Sequence, residues 1–337
     1  MSGLFRRAGG AWPNLAAILY TLCGWPLGIY LLTRPGYAWN ALGVLLTAHT
    51  LIYSAYIIHD CAHHAIFRGA AANDRLGVLM SWINGACLAN YAGLKKKHLR
   101  HHSDRLDVVT FDYRTVVLQG AAWFRQAVLA LEWAYVPAVE LLMRGFVIAA
   151  PFSSGTWAAR WRLVAKLALR LALFAVLAWL SLKAVLLYAL AYLIFLQVLR
   201  FMDAFQHTYE VFASRSLAAA PVDPRRDLRY EYENTYSNLL AERWSWLNLL
   251  VLNFAYHNAH HVRPGEPWYR LPALHRSLYG ERRDAQVITC RELLGSFHRY
   301  RVTRILAANY GAVAAAGVPD RVRAFQGAVG VSFLTAV

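Results

Sequence analysis

The chain has 337 residues, of which 58% are apolar and 16% charged, and its mean hydropathy is positive at +0.31. That composition, spread over several long uncharged runs, argues against a soluble protein and for an integral membrane one. The formal charge of +16 comes with no basic run interleaved with a nucleic-acid motif, which argues against nucleic acid and leaves anionic lipid headgroups or an acidic redox partner as the matching surface.

Arg6 and Arg7 precede an apolar run from Trp12 to Leu32. At about 1.5 Å per helical residue it is long enough to cross a hydrocarbon core of about 30 Å, and too long for the core of a signal peptide. Gly24, Pro26 and Gly28 are expected to kink this first span. A tight turn over Thr33 to Gly36 leads into a second apolar run, Tyr37 to Ile58, which continues without a break into His59. His49 lies inside that second span, where a neutral imidazole bonded to a neighbouring helix is the expected state. His59, His63 and His64 stand at i, i+4 and i+5, so the first histidine cluster is expected to cap the second span at the membrane surface.

Leu76 to Tyr91 is apolar but broken by Gly77, Asn84 and Gly85, short for a span and suited to a re-entrant or interfacial helix. Lys95, Lys96 and Lys97 follow and are expected to be a solvated positive-inside anchor. They introduce a second cluster, His98, His101 and His102, at i, i+3 and i+4. Between Trp123 and Phe152 the apolar residues are interrupted by Arg125, Glu132, Pro137, Glu140 and Arg144, which predicts an amphipathic helix lying on the membrane rather than a span.

Two further spans form a hairpin, Leu167 to Leu182 and Val185 to about Asp203, with the turn over Ser181 to Ala184 and Lys183 at its tip. Arg170 is expected to snorkel back to the headgroups. Asp203 and His207 are again i and i+4, and on a continuing helix they would share one face. Pro221 to Glu233 reads as an exposed loop, and Leu239 to Phe254, with Glu242, Arg243 and Asn253, as an interfacial helix running into a third cluster, His257, His260 and His261. Four spans (about 12–32, 38–58, 167–182 and 185–203) keep every cluster on one side, with cap segments 59–152 and 204–300 in a single domain over 1–337. Arg6, Arg7 and the lysine triple make that side cytoplasmic, with both termini. Cys23, Cys61, Cys87 and Cys290 show no framework spacing, and Cys61 sits inside a histidine cluster, which implies a reducing compartment there.

One such cluster is weak evidence for a metal. Three of them offer more imidazoles than the four to six ligands of one ion, so a nitrogen-rich two-metal centre is expected, of a kind suited to iron, copper or zinc. A metal transporter would hold its ligands near the bilayer midplane on broken helices. These clusters lie outside the spans, which argues against transport.

The three clusters, His59-Asp60-Cys61-Ala62-His63-His64, His98-Leu99-Arg100-His101-His102 and His257-Asn258-Ala259-His260-His261, followed by the proline-rich stretch Val262 to Pro272, resemble the histidine boxes of the membrane fatty acid desaturases and their hydroxylase relatives. The resemblance runs from about Ala41 to Leu278. It implies an all-α fold of four transmembrane helices with a cytosolic helical cap, a nonheme diiron centre, dioxygen as co-substrate and an outside electron donor. Carried across, its metal ligands fall on His59, His63, His98, His101, His102, His207, His257, His260 and His261. His64 is an alternative partner to His59. Asp203 occupies the place of the family's asparagine and is a candidate ligand or holder of a bound water. The expected activity is O2-dependent introduction of a double bond into a fatty acyl chain, acyl-lipid or acyl-thioester; hydroxylation of a fatty acid, lipid or alkane is the alternative. The chain has no cytochrome b5, rubredoxin or flavin motif of its own, so a ferredoxin, cytochrome b5 or rubredoxin is the expected donor.

Overall fold

A computed structural model describes residues 3–214, 223–280, 286–313 and 325–336. In chain order its α-helices are α1 (Ala11–Thr33), α2 (Tyr37–Ala62), α3 (Ala70–Asn84), α4 (Tyr91–Asp104), α5 (Tyr113–Gln119), α6 (Ala122–Trp133), α7 (Ala138–Ser154), α8 (Trp157–Leu180), α9 (Leu182–Asp203), α10 (Leu228–Glu233), α11 (His257–Val262), α12 (Leu271–Tyr279), α13 (Cys290–Arg299) and α14 (Thr303–Leu306). Two short strands, β1 (Asp107–Val109) and β2 (Val211–Ala213), pair in parallel with Asp107 opposite Val211. The chain forms two compact units, Met1–Gly93 with Val147–Val198, and Leu94–Phe146 with Leu199–Val337.

The first unit holds the membrane helices. Four helices, α1, α2, α8 and α9, are long and apolar enough to cross a bilayer. Only 6% of the α8 window is buried inside the protein, and Leu169, Leu171, Leu173 and Trp179 are all exposed along it. Apolar residues around the whole circumference belong against lipid. α8 begins at Trp157 rather than near Leu167, because the span is preceded by a further amphipathic stretch capped by the Thr156 hydroxyl, which accepts from the Ala159 amide. The hairpin turn is Ser181 alone, since Leu182 already opens α9.

Gly24 and Gly28 do not break α1, which runs unbroken through Pro26. They let α2 approach instead. A Cβ on Gly28 would lie 2.5 Å from the Thr47 hydroxyl, and one on Gly43 would lie 3.0 Å from the Gly28 carbonyl, the close backbone contact that small residues permit between membrane helices. His49 is bonded to a neighbouring helix, its Nδ1 2.6 Å from the Tyr20 hydroxyl of α1. At the turn, Asn40 donates to the Leu31 and Arg34 carbonyls at the end of α1. The Lys183 ammonium then reaches the Arg34 carbonyl at 2.7 Å and the Asn40 side-chain oxygen at 2.9 Å. The α1/α2 and α8/α9 turns therefore stand together, at one end of the membrane helices.

α3 packs on α2 and ends at Gly85 in the left-handed region (φ 83°). The last carbonyls of α3 have no partner within their own helix, and α8 and α9 supply donors: Arg170 to Trp82 at 2.7 Å and Tyr192 to Asn84 at 3.3 Å, with Lys166 donating to Cys87 just beyond. Arg170 is thus engaged by protein and does not snorkel.

The second unit is built round a core of Val109, Tyr113, Val117, Val139, Met143, Ile305 and Val329. The predicted amphipathic helix between Trp123 and Phe152 is two helices, α6 and α7, and two of its charges, Glu132 and Glu140, lie inside the protein. Glu132, Glu140 and Arg200 are buried (2%, 6% and 4% exposed), and the Arg200 guanidinium pairs with both carboxylates. Arg200 therefore does not pair with Asp203. The expected interfacial helix over Leu239 to Phe254 is a 3-10 turn, Ser245–Val251, followed by Leu252 and Asn253 in left-handed backbone. The Asn248 amide explains the departure: its oxygen accepts from the Leu240 backbone and its nitrogen donates to the Ala241 and Ser245 carbonyls, side-chain bonding that competes with a regular helix. Of the expected loop from Pro221 to Glu233, residues 221 and 222 lie outside the described residues, and Leu228–Glu233 is the helix α10, started by the Asp227 carboxylate accepting from Tyr230.

Removing one partner of a buried ion pair leaves an uncompensated charge, at a cost of about 3–5 kcal/mol. Arg200→Met should therefore lower the melting temperature of the detergent-purified protein sharply, and adding Glu132→Gln and Glu140→Gln to it should recover most of the loss. Melting of Arg200→Met alone close to that of the native chain would show that the pair is not a buried charge cluster.

Candidate metal centre

The second unit brings seven of the predicted ligands into two groups. His101, His207, His257 and His261 present ring nitrogens that all lie within 4.8 Å of one another, and His98, His102 and His260 do the same. The groups adjoin: the rings of His102 and His261 are 4.2 Å apart, centroid to centroid. In the first unit, His59 in the last turn of α2 and His63 at its cap stand with ring centroids 5.0 Å apart. His64 departs from the helix at φ 53°, with its Nε2 4.0 Å from the Asp74 carboxylate.

The nitrogens that converge are the Nε2 atoms. His257 Nε2 lies 2.8 Å from His207 Nε2, His260 Nε2 3.1 Å from His102 Nε2, and His101 Nε2 3.3 Å from His261 Nε2. The opposite ring edges are held by acceptors. His101 Nδ1 faces the Leu106 carbonyl and the Asp107 carboxylate, each at 3.0 Å, and His261 Nδ1 donates to Glu231 at 2.9 Å. An Nδ1–H donated outward fixes the tautomer with its lone pair on Nε2, directed inward, which is the arrangement of a metal-binding imidazole.

Burial also disfavours the charged form of two of these imidazoles, His207 and His261. It drives His207 well below the usual imidazole range, helped by His261 and His101. Burial likewise lowers His261 to about 4, even though the Glu231 hydrogen bond pulls the other way. Burial works to raise the Glu231 carboxyl, but the bonds from His261 and Arg105 outweigh it and hold it below its ordinary value. A cluster of converging imidazole nitrogens with no thiolate fits a transition-metal ion of imidazole preference.

Local structure explains the convergence. α4 carries His98, His101 and His102 in its last turns, and β1 follows directly, so its pairing with β2 sets Asp107 beside the chain leaving His207. His207 itself is not on a helix with Asp203. α9 stops at Asp203, and His207 forms an isolated bridge to Thr235, flanked by Tyr236 bonding the Gln206 carbonyl. The bridge takes His207 to its partners just after α10, the element that supplies Glu231. α11 holds His257, His260 and His261, and its Asn258 is tied down by the Ser237 hydroxyl and by His275.

Asp203 belongs to neither histidine group among the described residues. It lies in the wall of a cavity of about 40 Å³ that also touches Lys97, His98, His101, Asp107 and His207. Both of its carboxylate oxygens are buried without a hydrogen-bond partner. Lys97 is not the solvated anchor its neighbours suggested. It is 8% exposed, and burial lowers its ammonium to about 7 against the pull of Asp107 and Asp203. Lys95 is half-buried and Lys96 exposed. A second, larger cavity of about 330 Å³ reaches Glu231 and His261 from the side of Leu228, Tyr232 and Tyr279.

Sequence reasoning missed Glu231 and Asp107. Each is an isolated carboxylate at no periodic distance from a histidine box, and only the fold brings it to an imidazole. Glu231 also offers an oxygen to a third potential metal group with His102 and His261.

Four helices apolar enough to span a bilayer, together with histidine groups that could hold metal, describe an integral membrane protein with a candidate metal centre. Residues 36–292 match the model of the fatty acid desaturase family, and the chain belongs to that family. The comparison with curated proteins finds no match. Membership makes the protein a desaturase- or hydroxylase-type oxidoreductase of the membrane, acting on lipid or acyl substrates.

Outer partners of metal-bound histidines typically change metal affinity by about 10–100-fold when removed. Glu231→Ala should therefore weaken metal retention by about that factor in chelator competition, with Glu231→Gln intermediate, because an amide oxygen still accepts from His261. Equal retention by both variants and the native chain would remove Glu231 from the centre.

Proposed function

We propose that the chain is an O2-dependent desaturase that introduces a carbon–carbon double bond into a fatty acyl chain at a nonheme diiron centre. The observation that carries this reading is the pairing of two converging imidazole groups with the family match over 36–292. His101, His207, His257 and His261 would hold one iron, and His98, His102 and His260 the other. His59 and His63 are proposed as further ligands on the strength of the family's first box and of their own pairing at the end of α2. Asp203, as the replacement for the family's asparagine, is proposed to hold a bound water near the metals.

Bound iron would supply the redox capacity to activate dioxygen against an unactivated C–H bond. The protein's own contribution is positional. Asp107 and Glu231 hold the His101 and His261 rings by their outer edges, among imidazoles that are themselves largely buried. The balance is two hydrogens from adjacent carbons, two electrons and two protons from outside, and dioxygen reduced to two waters. The two outside electrons come from a separate ferredoxin, cytochrome b5 or rubredoxin-type donor, for which the exposed Lys96 and the chain's positive charge supply a complementary surface.

The active site is placed on the cytoplasmic side by the positive-inside rule. The bond of Lys183 to Arg34 and Asn40 supports a common side for both hairpin turns, and the same rule makes that side non-cytoplasmic. Reporter fusions after Thr33 and Leu182 should register the non-cytoplasmic side, and fusions after Arg105 and Gly280 the cytoplasm; a cytoplasmic signal at Leu182 would contradict the arrangement.

Expression in a host with simple fatty acids, followed by mass spectrometry of total lipids, tests the reaction. Acyl chains lighter by two hydrogens should accumulate, and His101→Ala should abolish them. Acyl chains that gain only one oxygen, with no alkene at any stage, would assign hydroxylation instead.

A further inference from the structure

Residues 325–336 follow the end of the family match at 292, yet they are built into the second unit. Phe325 and Val329 are 1% and 0% exposed within its hydrophobic clusters. The Ala328 amide donates to the Ala204 carbonyl, just after α9, and the Val329 amide to the Tyr310 carbonyl. Gly327 and Gly330 are in left-handed backbone at φ 95° and 74°. A Cβ on Gly327 would approach the Phe205 ring at 2.9 Å, and one on Gly330 the end of Met143 at 2.2 Å. A chain fitted this closely is packed in place rather than laid on a surface.

Beyond Gly330 the segment turns over the metal centre. Lys97, the residue before His98, donates to the carbonyls of Ser332 at 2.8 Å and Thr335 at 2.9 Å. The Thr110 hydroxyl donates to that of Thr335 at 2.7 Å. These bonds hold Phe333 with its ring centroid 5.8 Å from that of His98. Val331 and Phe333 complete the wall of the 40 Å³ cavity that His98, His101, His207 and His257 line from the other side. A space of that size holds a water or a molecule as small as dioxygen.

We propose that Val331 and Phe333 are specificity-determining residues: the C-terminal segment, clamped by Lys97, is the apolar wall that sets how an alkyl chain approaches the metal-binding histidines. The identity of the chain as substrate rests on the desaturase reading; the wall rests on the packing alone. Lys97 is accordingly a positioning residue. Its burial beside Asp107 and Asp203 is accounted for by its hold on the two carbonyls.

Two measurements separate the claims. In metal-free protein in detergent, diethyl pyrocarbonate modification of His98, followed by peptide mass spectrometry, should rise at least about threefold in Phe333→Ala, in Lys97→Met and on truncation after Gly330, since each opens the segment locally while Phe325 and Val329 stay packed. Unchanged His98 modification in all three overturns the wall. In lipid profiling, Phe333→Ala should redistribute the position of oxidation along the chain or extend the range of chain lengths accepted, and Phe333→Trp should narrow it, because displacements of about 1 Å suffice to change reactivity about 100-fold. A product profile identical to that of the native chain, with His98 modification raised, overturns the specificity role. Absence of any oxidised lipid from the native chain would instead count against the desaturase reading, leaving the His98 result to decide the wall.

Discussion

The structure depends on keeping a group of imidazoles largely buried and pointed at one another. When both rings carry their proton on Nδ1, facing Nε2 lone pairs such as those of His101 and His261, 3.3 Å apart, repel unless a cation lies between them. The chain meets this constraint from outside. Asp107, the Leu106 carbonyl and Glu231 accept the Nδ1 protons of His101 and His261, which commits those rings to present their lone pairs inward. An arrangement that is unfavourable alone becomes favourable with a metal ion, so metal binding adds to the stability of this unit.

Several otherwise unrelated features serve that end. The two-stranded pairing of Asp107–Val109 with Val211–Ala213 brings the residue after the second box beside the residues after His207. The early stop of α9 at Asp203 frees His207 to bridge to Thr235, next to the short helix bearing Glu231. The buried Arg200 pair with Glu132 and Glu140 anchors the end of α9 on α6 and α7, so the chain leaves the membrane helix at a fixed place. In the first unit the same economy of small residues and carbonyl-binding cations holds the helices: Gly28 against Thr47, Arg170 on Trp82, Lys183 on Arg34.

What the sequence made legible was whatever repeats over a short distance. Hydrophobic runs of span length revealed α1, α2, α8 and α9, and the spacing of His98, His101 and His102, or of His257, His260 and His261, placed each trio on one helix. Readings that extended a local pattern too far failed. Asp203 and His207 have helical spacing but no helix between them, and Leu239 to Phe254 has amphipathic composition but an Asn248 that bonds its own backbone. Charge was misleading in a consistent direction: Lys97, Arg170, Glu132 and Glu140 read as surface or interface residues, and each is held within the protein by a partner far away in sequence. Glu231, Asp107 and the Val331 to Thr335 segment carried no local signal, since their significance lies only in which imidazole or cavity they meet.

The central claim is that the converging histidines hold two irons. Protein purified gently from iron-replete cells, assayed for metal by mass spectrometry and for iron environment by Mössbauer spectroscopy, addresses it directly. The account predicts close to two irons per chain with nitrogen-dominated coordination, reduced in both His101→Ala and His260→Ala, one from each converging group. Stoichiometric zinc that survives iron-replete expression, or iron content indifferent to both substitutions, would contradict it.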